Sequence, residues 1–457
     1  MSGTARKRFM GIPDEFWVGF IIMVAFFLKL VYTIKIGYQN GTIYAGSWLD
    51  LTEGSIHGGH VEVIHYYFTF HKLPDFSPVG YPGYALPPLY YIISSLFMEL
   101  LHRLMHWSAP VSLHVLLSLN VIYVSIGESC GLAILRRFGV RGRNLVTAVF
   151  FLFYFPGFYL LSGAMDGSAL AFMFSMLALS GVLSWYDSRR QKVLLLSALY
   201  LGLGFMTSYT TSVVVPAIMV ILYSAAKDRK RNRVPFLKQL TRFIVIVCVM
   251  SFIWPVYLSV RFHLPLFYVE KTGATIPAVY SSVFSRLGIP DLQLLLHLHT
   301  HGHLIPKNLA CEYNIWAQTF KTAVVDFHAI DTSAKGTYIM TEFLLFLTIA
   351  TCLLMHVMML YSIFGAGRIH RVHKRVLLIG YFSVLAAYIA ECFILPWTGT
   401  MHFRWFAAIQ IFPLVGMCIC GSRDSSDNLF EKITTRISDF LIVIMAVLTA
   451  FLFNYYP

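Results

Sequence analysis

Apolar runs of about twenty residues recur along this chain, divided by short polar or basic stretches. At 1.5 Å per residue each run can cross a ~30 Å hydrocarbon core as a helix. Only helices and closed barrels satisfy their backbone groups there. The pattern predicts spans at 15–36, 110–135, 145–163, 168–186, 193–208, 211–225, 243–260, 338–364, 376–395, 402–420 and 437–455. The fifth and sixth are short for a full crossing. A re-entrant pair broken at Thr207-Ser208-Tyr209-Thr210-Thr211 is the alternative for them.

Two stretches interrupt the series, 37–109 and 261–337, and loops of that length generally carry function. In the first, the periodicity of Gly58–His71 predicts an amphipathic interfacial helix, with Val61, Ile64, Tyr67 or Phe68, and His71 on one face. Lys72-Leu73-Pro74-Asp75 ends it. Pro87-Pro88 predicts the first turn of a second helix over Leu89–Met105, where tyrosines gather as they do at a membrane–water boundary.

Composition agrees with the pattern. Hydrophobic residues make up 57% and charged residues 12% of the 457, whereas soluble domains carry about a quarter charged. The fold class is therefore an all-α polytopic membrane protein, one membrane domain over 1–457 with about eleven transmembrane helices and an outer cap.

The net charge of +13 orients the chain. With the N-terminus inside, the inner segments 1–14, 136–144, 187–192, 226–242, 365–375 and 421–436 hold 24 of the 35 Lys and Arg residues. The short outer turns at 164–167, 209–210 and 396–401 hold none. This is the positive-inside distribution, and it removes any need to invoke nucleic acid. It also keeps 87–106 in the interface, because a crossing there would put Arg136, Arg137, Arg141 and Arg143 outside. The expected location is a cell membrane, multi-pass, N-terminus cytoplasmic. Arg6-Lys7-Arg8 precedes a run too long for a cleaved leader, so the first helix reads as a signal anchor.

Six of the seven cysteines fall within spans and only Cys311 in an outer loop, so no disulfide framework is implied. Nucleotide-binding fingerprints are missing. Asn40-Gly41-Thr42 is a formal glycosylation sequon close to the first helix. His297-Leu298-His299-Thr300-His301-Gly302-His303 would place four imidazoles on one side of an extended strand, where they could bind a divalent metal; a solvent-facing stretch is the plainer reading. No metal ligand is assigned from it.

Charges at membrane depth are costly and tend to be functional. Arg404, in His402-Phe403-Arg404-Trp405, is a basic residue in the outer half of a span; snorkelling to the interface is the bland alternative. Lys29 is expected to face the bundle. Glu99, His102 and Glu391 are semi-buried positions with no assigned role. The outer acids nearest the membrane are Asp50, Glu53, Glu62, Asp75 and Asp166.

The order of elements carries a resemblance. A first span is followed by Gly59-His60 with Ile64, then Lys72-Leu73-Pro74, then Pro87-Pro88-Leu89-Tyr90-Tyr91. An Arg-flanked inner loop comes next, then a span ending Leu161-Ser162-Gly163 beside Asp166, and later Met401-His402-Phe403-Arg404-Trp405. This layout resembles the membrane glycosyltransferases of the GT-C superfamily, close to the family 39-like group of protein mannosyltransferases and arabinosyl-lipid transferases.

The resemblance implies a polyprenyl-phosphate-linked sugar donor, transfer on the outer face, and an acceptor of unspecified kind. Such transfer needs a carboxylate to take the proton of the attacking hydroxyl and a cation for the departing phosphate. Asp50 and Asp166 are the candidate catalytic acids. Arg404, His60, Glu62, Tyr90 and Tyr91 are the candidate substrate-binding residues. Both acids are displaced from the family's usual positions: Asp50 comes late after the first helix, and the turn commonly read Asn-Asn-Asp is Met165-Asp166-Gly167-Ser168 here. A catalytically degenerate membrane partner, or a transporter or flippase of lipid-linked substrate, is therefore the alternative.

Overall fold

The computed structural model describes residues 8–9, 12–40, 59–227, 233–268, 282–290, 295, 298, 314–325, 330, 334–364, 376–394, 401–421 and 429–457. Apart from a two-residue hairpin, Arg8–Phe9 against Ile12–Pro13, the described chain is helical. Its helices are α1 (Asp14–Asn40), α2 (His60–Phe70), α3 (Pro82–Ala85), α4 (Leu89–Met105), α5 (Ala109–Arg137), α6 (Arg143–Tyr154), α7 (Pro156–Gly163), α8 (Ser168–Ser188) and α9 (Gln191–Thr207). There follow α10 (Val215–Lys227), α11 (Arg233–Phe262), α12 (Val283–Leu287), α13 (Ile315–Lys321), α14 (Lys335–Phe364), α15 (Tyr381–Ile394), α16 (Phe403–Phe406), α17 (Ile411–Gly421) and α18 (Leu429–Tyr455).

Among the described residues, ten helical segments are long and apolar enough to cross a membrane. They coincide with ten of the eleven stretches that hydropathy marked, and α9 supplies the eleventh. This is an all-α polytopic membrane protein. At 17 residues α9 is about 25 Å long, short for the ~30 Å core. The break after it falls where the polar cluster predicted. Ser208 is extended, and its hydroxyl accepts from Thr210 N at 3.3 Å before a 3₁₀ turn, Tyr209–Val214, leads into α10.

The span formed by α6 and α7 is the most enclosed, with 94% of its apolar window buried. Its two halves meet at Phe155, which is extended because Pro156 follows it. Neighbours on several sides explain why the run shows no polar face: α1, α5, α17 and α18 all pack against it. By contrast α11 has only 22% of its window buried and presents Val245, Val249, Ile253 and Val260 outward, as a lipid-facing helix does.

Close approach between helices depends on small residues where it is tightest. A Cβ on Gly416 of α17 would lie 2.5 Å from Met359 Cβ and 2.7 Å from Met359 Cα of α14. One buried ion pair joins α1 to α5: Lys29 Nζ donates to Glu128, both side chains at 0% exposure. The ammonium also lies 5.5 Å from the Phe153 ring centroid and 5.6 Å from that of Tyr159. Lys29 thus faces the bundle, as expected for a cation in a span.

The end of the bundle rich in arginine is laced by ion pairs. Arg136 meets Glu15, Arg137 Nη1 lies 2.6 Å from Asp187 Oδ2, and Arg143 lies 2.5 Å from Asp439. At the opposite end, α2, α3 and α4 are folded together over the mouth. Trp254 Nε1 donates to Ala85 O at 3.1 Å, and Tyr257 OH donates to Pro74 O at 2.8 Å, tying this cap to the end of α11.

The cap differs from its expected amphipathic form in one respect. In α2 all seven residues from Val61 to Tyr67 are buried, polar Glu62 and His65 among them. His71 is exposed and closes the helix in the left-handed conformation at φ 49°. The reason is the aromatic cluster behind it: Tyr66 packs edge-on against Phe76 and Tyr84, at 5.6 Å from each. The face that looked solvent-bound from periodicity is covered by the segment after it. Helix α4 begins at Leu89 with Pro88 as its cap, as the double proline predicted.

Candidate functional site

Four separate parts of the chain meet at the capped end: the start of α2, the start of α4, the turn between α7 and α8, and the turn carrying α16. Each is placed by local chemistry.

The turn Ala164–Gly167 has a left-handed residue, Gly167 at φ 79°. A Cβ there would sit 3.0 Å from Tyr90 Cβ, so glycine serves both the conformation and the close approach. Asn120 of α5 donates to Ala164 O at 2.6 Å and reaches Tyr90 OH at 3.5 Å. Tyr90 OH in turn contacts Met165 Sδ at 3.3 Å. Asp166 Oδ1 accepts from Ser168 N at 2.9 Å, satisfying one of the first free amides of α8. Its other oxygen is thereby aimed into the mouth.

That second oxygen meets Arg404. The guanidinium Nη1 is paired with Asp166 Oδ2, with side-chain exposures of 16% and 3%. Arg404 therefore does not snorkel outward. Its turn begins at His402, whose Nδ1 accepts from Arg404 N at 3.2 Å. Phe403 lies across Gly157, where a Cβ would come within 2.3 Å of its ring, and it packs on Phe155 and Phe158 at centroid distances of 5.2 and 5.8 Å.

On the cap side, His60 Nδ1 and Tyr91 OH are 2.7 Å apart and the two rings are stacked, 11° between planes. Loss of water around the imidazole, reinforced by the positive charge of Arg404, lowers the His60 pKa to about 3. Burial pushes the Tyr91 phenol well above its ordinary value. At neutral pH His60 is uncharged and Tyr91 keeps its proton. The phenol then donates to Nδ1, which leaves Nε2–H as a donor. Tyr90 is likewise raised by burial.

A small crevice lies beside Arg404, lined by Gly157, Leu160, Leu161, Ala164, Thr322, His402, Phe403 and Arg404. One wall is apolar, from α7; the other carries a guanidinium, an imidazole and a hydroxyl. Such a surface suits a ligand with a greasy part and an anionic part. The arrangement can bind an anion through Arg404, donate neutral hydrogen bonds from the His60–Tyr91 pair, and hold the Asp166 carboxylate against the guanidinium.

Of the residues singled out by sequence, Asp166, Arg404, His60, Tyr90 and Tyr91 come together here. Glu62 lies two residues beyond His60 in α2, buried, its backbone carbonyl accepting from Tyr84 OH at 3.3 Å. Asp50 and Glu53 fall outside the described residues, and so do the four histidines of 297–303 and Cys311. Asp75 sits away from the mouth, paired with Lys72 and accepting from Tyr66 OH at 3.2 Å. Among the described residues no group of three or more His, Cys, Asp or Glu side chains could hold a metal. Glu99 pairs with Arg103, His102 Nδ1 contacts Trp107 O at 3.2 Å, and Glu391 accepts from Ser212.

Asn120 and Thr322 are participants that sequence reasoning did not mark. Asn120 had a weak signal, an amide inside an apolar span. Thr322 had none.

No protein-family model and no curated protein matches the sequence. Two solved structures of ArnT from Cupriavidus metallidurans are similar at 14% sequence identity over 89% of this chain: one in the apo state, with 77% of its own length covered and a TM-score of 0.40, and one bound to undecaprenyl phosphate, with 78% covered and a TM-score of 0.41. Likeness at that distance does not assign a family, and the site stands on its own residues.

Proposed function

We propose that this chain is a membrane glycosyltransferase that moves a sugar from a polyprenyl-phosphate carrier to an acceptor hydroxyl at the outer face. The single observation that supports it most is Arg404: a guanidinium held by Asp166 at the wall of a half-apolar crevice beneath a cap. A lipid-linked sugar phosphate has that dual character. Its isoprenoid lies along apolar helix surface and its phosphodiester needs a cation.

In this reading the acceptor oxygen attacks the anomeric carbon as the anomeric C–O bond to phosphate breaks. The bonding pair leaves with the phosphate, and Arg404 balances the charge that develops there. Asp166 orients the guanidinium in the resting site and is our candidate to take the hydroxyl proton. His60 and Tyr91 supply uncharged hydrogen bonds that suit sugar hydroxyls. Asp50 keeps the candidate role that the resemblance gave it. The alternative, a catalytically silent relative, draws support from the engagement of both Asp166 oxygens.

The test is a transfer assay in washed membranes and in reconstituted vesicles, with radiolabelled polyprenyl-phosphate sugars. Label should reach an acceptor with wild type and fall at least a hundredfold with Arg404→Gln, the scale of losing a donor aimed at developing charge. Carriage of label across the vesicle without transfer would instead identify a transporter. Neither transfer nor carriage with any donor would leave the silent-partner reading.

A further inference from the structure

The turn that carries Arg404 opens the span Phe403–Gly421, and the first amides of a helix have no partner within it. What meets them from outside fixes how the turn sits. On one side is the Asp166 carboxylate. On the other is Thr322, immediately after α13, in the second long segment between spans. The Thr322 Oγ1 accepts from Phe403 N at 2.9 Å and donates to Gln318 O at 2.7 Å. Both functions of the hydroxyl are used, and the residue is buried at 2% exposure.

Helix α13 is itself anchored. Asn314 caps it through Ala317 N at 3.0 Å and donates to Ser285 O at 3.1 Å and Gly288 O at 2.8 Å. Trp316 Nε1 donates to Leu287 O at 3.0 Å. Thr319 Oγ1 and Tyr388 OH are 2.6 Å apart, tying α13 to α15. Thr322 also lines the crevice beside Arg404. A chain of fixed points thus runs from α12 and α15, through α13, to the backbone one residue before the guanidinium.

We propose that Thr322 is a positioning residue for Arg404: through its hydroxyl the second long segment helps set where the guanidinium sits. The proposal rests on Arg404 being the anion-binding group. A hydroxyl that merely finished α13 would matter to folding and leave Arg404 unmoved.

The experiment uses the full chain in detergent and has two arms. In the first, with no ligand, phenylglyoxal modification of Arg404 is followed by peptide mass spectrometry, with Arg143 as internal reference. Thr322→Val keeps the shape and removes the hydroxyl; Thr322→Ser keeps the hydroxyl. Modification of Arg404 should rise about fivefold in the valine variant, the scale of one lost hydrogen bond, and stay at the wild-type rate in the serine variant. Equal rates in wild type and Thr322→Val would overturn the proposal. The second arm titrates polyprenyl monophosphate by tryptophan fluorescence. Weaker binding in Thr322→Val, restored in Thr322→Ser, is expected. A raised modification rate with unchanged affinity would keep Thr322 as the positioner and remove Arg404 from phosphate binding. Should Thr322→Val not fold, Thr322→Ala removes the same hydroxyl with less bulk and carries the same comparison.

Discussion

The Arg404 guanidinium and the Asp166 carboxylate form an ion pair at the capped end of the bundle. One partner sits in the turn before α8 and the other in the turn that opens the span ending in α17. Asp166 spends its remaining oxygen on Ser168 N, so the pair is seated on a helix terminus. Removing one partner from an enclosed pair leaves a charge without compensation, typically worth about 3–5 kcal/mol. Asp166→Asn and Arg404→Gln should each lower thermal stability strongly, and the double variant should lose less than the sum. Thermal unfolding of all four proteins in one detergent gives the coupling energy; strict additivity would show the pair to be unimportant.

The Lys29–Glu128 pair is a separate matter, fully enclosed and with neither residue lining the crevice. Glu128→Gln should destabilise by about 3 kcal/mol or more, while Lys29→Met with Glu128→Met together should recover most of that loss. Binding of polyprenyl phosphate by the double variant should match wild type. Fluorescence titration beside a melting curve separates the two effects.

Gly157→Ala should disturb the site without touching any polar group. The new methyl would come within 2.3 Å of the Phe403 ring, which Phe155 and Phe158 already hem in. Overpacking of this kind costs about 1–3 kcal/mol, and displacement of Phe403 carries Arg404 with it. Ligand affinity is expected to fall along with stability. Gly416→Ala, against the Met359 backbone, should cost stability alone.

His60 should remain uncharged throughout the mildly acidic range. Its folded pKa is depressed to about 3, against an ordinary value of 6.5, so the unfolded chain binds the extra proton between those limits. Its contribution to stability is therefore fully present above about pH 6.5 and is lost as pH falls toward 3. The histidine ¹⁵N spectrum of wild type minus that of His60→Gln should show one neutral ring that does not titrate from pH 8 to 5. A midpoint near 6.5 for that ring would refute the buried, Arg404-facing placement.

Most of the membrane architecture was legible because hydropathy acts on each segment by itself. A run such as 338–364 must be helical in lipid whatever its neighbours do. Arg404 was legible for a related reason: a charge among Phe403, Trp405 and Phe406 has no cheap explanation. Its partner was not, because nothing near Asp166 in the sequence says which cation will face it. Lys29 could be aimed inward but not matched to Glu128, though a lone acid in an apolar run was a signal available to be read. The enclosure of α2 was misjudged because its polar Glu62 and His65 imitate a solvent face. Beside them Tyr66 packs into an aromatic cluster with Phe76 and Tyr84, which periodicity within one helix does not register. Thr322 carries no local mark at all, since its importance is a hydrogen bond to a distant backbone amide.

The tie between α1 and α5 also bears on how the chain enters the bilayer during synthesis. Lys29 belongs to one spanning segment and Glu128 to another, and a lone Lys or Asp at the centre of a membrane helix costs about 2.5–3.5 kcal/mol to insert. Released singly into lipid, either would drag that penalty with it. Entering lipid as a pair they offset most of it, so insertion of α1 gains from the presence of α5.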